Sequence, residues 1–212
     1  DLANFAPADK GGVKKDPARM RETFYHEVLE LQDAFTALEE CRMPTIASIQ
    51  GACVGGAIDM TAACDMRYCS ENAFFKIAEV DIGIAADVGT LQRLPSLIPL
   101  AKLRELAFTG RKFDSAEAKS LGFVNEVFES EETLAKEVQK IAENIASKSP
   151  LVTRVIKKQI NYARDHTVRD SLDFHAVWKK AEEKGWVFAA RSIVLRTNTA
   201  ENPTEKLFSG TN

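Results

Sequence analysis

Residues 44–69 read PTIASIQGACVGGAIDMTAACDMRYC. After Pro44, the run Thr45, Ile46, Ala47, Ser48, Ile49 is short and β-rich and stops at Gly51, as a strand does. The paired glycines Gly55 and Gly56 then open a segment of small residues, AIDMTAACD, compatible with a tightly packed helix that begins at the glycines. A second strand, MRYCS, follows at 66–70. Two strands around a short helix, with glycines at the strand-to-helix turn, point to an α/β core.

The chain on either side extends this pattern. Asp16 and Pro17 supply an N-cap and a first-turn proline, and Met20, Phe24, Val28, Leu31, Phe35 and Leu38 recur at helical spacing, predicting one long amphipathic helix. Residues 73–77 read as a strand, and 88–97 as a short helical stretch broken by Pro95. Helices over 100–108 and 115–121 are stopped by Gly110 and Gly122, and VNEVF at 124–128 is again strand-like. Beyond 130 only helices are read, over 132–147, 151–164 and 167–184, the last carrying Leu172, Phe174, Val177 and Trp178. The expected organisation is an α/β core over 1–130 and a helical region over 131–212.

With 212 residues the chain is long enough for a substantial core, since single cores saturate near roughly 250 to 300 residues. A formal charge of -3 provides no broad basic field for nucleic acid or an anionic membrane. No apolar run approaches the ~20 residues of a membrane span, because Asp59, Asp65 and Arg93 interrupt the greasiest stretches. The sequence therefore reads as that of a soluble protein. Cys41, Cys53, Cys64 and Cys69 form no C-x-x-C pair and read as core thiols in a reducing compartment.

Several chemistries drop out. There is no G-K-[ST] ending after the glycines, no G-x-G-x-x-G and no G-x-S-x-G. His26, His166 and His175 lie in helical segments away from acid or cysteine clusters and read as structural or exposed. Gly55 and Gly56 serve either close helix-to-strand packing or the approach of a ligand oxygen to free helix-end amides. Asp59, one turn later in a helix of Ala, Ile, Met and Thr, is expected to face something polar. Asp65 and Arg67 read as an ion pair or a turn cap, and Asp81 as a turn residue. Glu79 and Asp87 stand isolated in the apolar stretch EVDIGIAADVGT at 79–90, where a carboxylate is costly to bury unless it is paired or useful.

Taken together, PTIASIQGACVGGAIDMTAACDMRYC, AFFKIAEVDIGIAADVGTLQRLP at 73–95 and ELAFTGRKFDSAEAKSLGFVNEVF at 105–128 resemble the enoyl-CoA hydratase/isomerase, or crotonase, superfamily. Within it, 79–95 and the YARDH at 162–166 look most like the delta-3,5-delta-2,4-dienoyl-CoA isomerases. The resemblance implies a spiral of ββα units followed by helices that assemble a homotrimer or homohexamer. It implies an acyl-CoA thioester substrate in fatty-acid β-oxidation, no metal or redox cofactor, and an oxyanion hole in which Gly56, beside Gly55, supplies the second amide. The first amide would precede a motif of which Asp1 and Leu2 are the remnant, so that it and the opening strands lie upstream. The two hydratase glutamates fall at Asp59 and Glu79, and Asp87 has its counterpart in the dienoyl isomerases.

On that resemblance Glu79 takes a proton from C2 and Asp87 returns one at C6, both in a dry pocket whose apolar neighbours raise the carboxyl pKa, while Asp59 tunes the pair or holds a water. Enoyl-CoA hydration is the alternative in the same class. RNA binding is the alternative from another class, through a basic helix face of Arg154, Lys157, Lys158 and Arg164, although no nucleic acid is expected as a partner. The compartment implied is mitochondrial or peroxisomal; residues 209–212 read SGTN and not the S-K-L address.

Overall fold

The β-rich run after Pro44 forms β1 (Ile46–Ile49), and MRYCS forms β3 (Met66–Ser70). In the computed structural model, which describes residues 16–183, these two strands are parallel partners, with Ile46 opposite Met66 and Ile49 opposite Cys69. β6 (Glu126–Phe128) joins the far side of β3, also in parallel. A second sheet holds β2 (Ala52–Val54) parallel to β4 (Phe74–Lys76), with β5 (Phe113–Asp114) antiparallel to β4. The chain thus passes from a strand of one sheet to a strand of the other before entering α2 (Gly56–Ala62), and repeats the move through β3 and β4. That alternation is the expected ββα spiral. β2 and β5 are additional to the strands read from the sequence, because segments of three and two residues carry no readable alternation.

Two compact units are present. The first contains the described residues up to Cys41 together with Thr45–Leu134. Its core gathers Ile49, Cys53, Ile58, Cys69, Phe75, Ile77, Leu94, Leu103, Leu106, Phe113 and Phe123. Phe75 stacks on Phe113 with ring centroids 5.2 Å apart and meets Phe123 edge-on at 5.4 Å. Full burial of each such ring contributes about 1.5–3 kcal/mol, so this trio welds β4, β5 and the segment after α5 (Ser115–Ser120). Arg67 is buried as well, donating to the carbonyls of Phe123, Thr61 and Cys64, with its guanidinium 5.5 Å from the Phe123 ring centre. Asp65 accepts from both the amide and hydroxyl of Thr45 and so ties the start of β1 to the start of β3. Cys53 and Cys69 are core thiols whose pKa burial pushes up to about 11, whereas Cys41 and Cys64 are only partly covered.

Asp16 caps α1 (Pro17–Glu39) by accepting from the Ala18 amide, as its sequence predicts. No residue of α1 is buried: Phe24 and Tyr25 of its apolar stripe are more than half exposed. α4 (Leu100–Thr109) ends on Gly110 in the left-handed conformation.

The second unit comprises Arg42–Pro44 and the chain from Ala135, and carries most of α6 (Glu131–Ala146), α7 (Pro150–Asp165) and α8 (Val168–Glu183). Tyr162 of α7 stacks on Phe174 of α8, centroids 4.2 Å apart, and on His166 at 3.7 Å. Among the described residues no helix is long and apolar enough to cross a membrane. The side chains of Val177 and Trp178, the Asp1-Leu2 remnant and the SGTN end lie outside the described residues.

Candidate active site

The site is built where β2 turns into α2. Gly55 has φ 57° and ψ -124°, a conformation that costs any residue with a Cβ, and its amide donates to the Lys76 carbonyl at the end of β4. A Cβ on Gly55 would stand 3.3 Å from Glu79 Oε1, so the missing side chain also makes room for the carboxyl. Gly56 is exposed and faces open space. Its amide is the first of α2, where no intrahelical acceptor exists, and it is therefore available to an oxygen arriving from outside.

Asp59, in the first turn of α2, is completely buried. The polar group it faces is the Thr90 amide, which donates to Oδ1 at 2.6 Å and opens α3 (Thr90–Arg93). Its Oδ2 has no protein partner, nor do the buried Glu79 Oε2 and Thr90 Oγ1. Glu79 begins a 3-10 turn over Glu79–Ile82. Burial holds its carboxyl above the usual range, opposed by hydrogen bonds from its own and the Ala78 backbone and reinforced by the negative charges of Asp59 and Asp87. Asp81 and Lys76 form an ion pair of 2.5 Å across this turn. Behind it, a Cβ on Gly110 would come within 2.8 Å of Asp81 Oδ1 and Val80 Cγ1.

Asp87 requires a correction. The sequence places it in a dry pocket, yet its side chain is exposed, as are Val80, Ile82 and Ile84, with Ile82 at 54%. Of the apolar residues over 80–86 only Ala86 is buried. The physical reason is that 79–90 is anchored at its ends, by Glu79 and by Gly89 and Thr90, while its middle arches outward. Asp87 still lies near enough for its charge to act on Glu79. The structure thus gathers Gly55, Asp59 and Glu79 at one turn, leaves the Gly56 amide open beside them, and sets Asp87 on the outward arch.

Sequence reasoning missed Thr90, Gln32 and Arg93. Gln32 Nε2 donates to the Asp87 carbonyl at 2.6 Å, and nothing in its helical context signals that. The expected basic helix face is not built as read: Lys157 is buried and donates to the Met43 carbonyl at 3.3 Å, and Arg164 pairs with Asp165. Among the described residues no group of three or more His, Cys, Asp or Glu is arranged to hold a metal ion.

Two small, mostly parallel sheets wound through ββα units, with an open glycine amide beside a half-buried glutamate, define a fold of the crotonase type. The chain belongs to the enoyl-CoA hydratase/isomerase family, whose model matches residues 11–181. It is 48% identical over 166 residues to the peroxisomal delta(3,5)-delta(2,4)-dienoyl-CoA isomerase of Arabidopsis thaliana, covering 78% of this chain and 60% of the relative. To the mitochondrial enzyme of that name from Homo sapiens it is 43% identical over 179 residues, covering 84% and 54%. The chain therefore spans a little over half the length of these curated relatives. Among solved structures, the enoyl-CoA hydratase of Bacillus anthracis is similar at a TM-score of 0.70 and 31% identity, covering 81% of this chain and 63% of that one. A Thermobifida fusca chain solved in complex with acetoacetyl-CoA has the same fold, with a TM-score of 0.77 at 22% identity over 87% and 72% of the two chains.

Proposed function

We propose that the intact protein is an isomerase that converts 3,5-dienoyl-CoA to 2,4-dienoyl-CoA in fatty-acid β-oxidation. The observation that carries this reading is the open Gly56 amide beside Asp59 and Glu79, with Asp87 near enough for its charge to act on Glu79, in a chain whose 43–48% identical relatives bear that name. The thioester oxygen rests on the Gly56 amide. Glu79 takes a proton from C2, and the electron pair spreads through both double bonds into a trienolate whose oxygen draws most on that amide; removing one such donor typically costs ~10² to 10³ in rate. Asp87 then delivers a proton at C6. Glu79 is half-buried and its pKa is raised by that burial, as suits a group that takes and returns a proton, and the Asp87 side chain stands open to solvent.

Every step is a proton transfer, so the scheme needs no cofactor, CoA being the handle of the substrate. The proximity of Asp59 adds to the burial that raises the Glu79 pKa. Assembly as a homotrimer or homohexamer is supported by the exposed apolar stripe Val152, Ile156 and Ile160 on α7. A mitochondrial or peroxisomal location is the reading that the names of the relatives support.

The test is to supply 3,5-dienoyl-CoA and 2-enoyl-CoA to the intact protein and follow diene absorbance and hydration in parallel. Diene formation is expected to dominate, and Asp87→Asn to lower it by ~10² to 10⁴. Dominant hydration, or undiminished turnover in the variant, rejects the two-acid scheme.

A further inference from the structure

Asp87 has an exposed side chain that no packing holds, yet the backbone beneath it is tied from several directions. Gln32 Nε2 donates to the Asp87 carbonyl at 2.6 Å. Arg93 Nη1 donates to the next carbonyl, that of Val88, at 3.4 Å. The same guanidinium is itself held by α1: Nε pairs with Glu39 Oε2 at 2.9 Å and Nη2 donates to Thr36 Oγ1 at 3.2 Å. Arg93 and Glu39 are only 12% and 16% exposed, so water competes little for this pair. At Gly89, with φ 133°, any Cβ would overlap the Arg93 guanidinium, so glycine is the residue that admits the clamp. On the far side the Thr90 amide is fixed by Asp59. Four consecutive residues, 87–90, are thus tied or packed against: Asp87 directly by Gln32 of α1, Val88 and Gly89 by the Arg93 side chain that α1 holds, and Thr90 by Asp59.

We propose that α1 is a positioning element for the acid at 87, acting directly through Gln32 and indirectly through Arg93 of α3, whose guanidinium it holds. This rests on the isomerase reading above. The two-acid scheme needs a proton delivered at C6 from a fixed distance, and a side chain standing in solvent can be aimed only through its backbone. Misplacement by about 1 Å costs up to ~10² in rate. In the forward step the C2–H bond breaks, its proton goes to the Glu79 carboxylate and its electron pair enters the trienolate. A C6–H bond then forms with the proton of the Asp87 carboxylic acid, and the double bonds move from 3,5 to 2,4. When Asp87 is misaimed, Glu79 can still return a proton to C2, so the trienolate reverts.

The experiment measures this partition. The intact protein and its Gln32→Ala and Arg93→Lys variants turn over 3,5-dienoyl-CoA in D2O, with deuterium gained at C2 of recovered substrate compared with 2,4-diene formed. The expected result is a rise of about tenfold in that ratio for Gln32→Ala, and a smaller rise for Arg93→Lys, which keeps the charge facing Glu39 but not the forked reach to Thr36 and Val88. Hydrogen exchange at the Thr90 amide, which donates to Asp59, read by NMR, is expected to quicken in Gln32→Ala at least tenfold. A merely structural contact would lower both products together at constant ratio, and that outcome overturns the proposal, as does unchanged amide exchange. Wild-type protein that forms no diene overturns the isomerase reading itself, whereas wild-type turnover with an unmoved ratio in both variants overturns only the role of α1.

Discussion

Replacing Glu79 by Gln separates the chemistry of the site from its stability. The substitution keeps shape and removes the proton acceptor, so turnover of 3,5-dienoyl-CoA should fall by ~10² to 10⁴, equivalent to about 2.7–5.4 kcal/mol of barrier. Stability should move the other way. The carboxyl is held above its ordinary pKa by burial and by the charges of Asp59 and Asp87, and its Oε2 has no partner. A raised folded-state pKa means that the native protein holds the Glu79 proton to higher pH than the unfolded chain does. Wild-type stability from this group is therefore full below the unfolded-state value near 4.5 and is lost as pH rises through the folded-state value. The glutamine has no such slope. Thermal melts of both proteins at pH 4, 6 and 8 should show the variant gaining on the wild type as pH increases, alongside a collapsed rate of diene formation. A difference in melting temperature that ignores pH, or a variant that turns over normally, refutes the reasoning.

Asp59→Asn leaves an oxygen for the Thr90 amide but deletes a charge beside Glu79, so the acidic limb of the pH–rate profile should move to lower pH while the fold persists; an unmoved limb would show that Asp59 does not tune Glu79. Gly110→Ala forces a left-handed position with φ 58° and pushes on Val80 and Asp81, and is expected to cost about 1–3 kcal/mol in urea unfolding and to slow turnover through the displaced Glu79 turn. Phe75→Ala removes the centre of the aromatic trio and should cost about 3–5 kcal/mol. Ile160→Glu, on the exposed stripe of α7, should shift the assembled protein toward monomer in sedimentation, without lowering the monomer's helix content.

Most elements were legible because their ends carry local chemistry. Asp16 and Pro17 start α1, Gly110 and Gly122 close the two helices before them, and MRYCS matches β3 residue for residue. β2 and β5 were hidden by their shortness and exist because β4 offers them both edges. At the site, Gly55, Gly56, Asp59 and Glu79 could be picked out as small or charged residues in apolar surroundings. The surroundings themselves misled at Asp87: Ile82 and Ile84 look like pocket walls in sequence and stand in solvent in the structure. Burial is set by tertiary neighbours, which a run of apolar letters does not specify. The ties from Gln32 and Arg93 join positions 54 to 57 residues apart, and no pattern in one sequence announces such pairs.

The bond between Asp59 and the Thr90 amide bears on what residue 59 can become. One carboxylate oxygen is moored at 2.6 Å and the other is left unmoored within the protein interior. Lengthening residue 59 by one methylene displaces the moored oxygen and unsettles the start of α3, so a longer acid here carries a folding cost that a compensating change near residue 90 would have to offset.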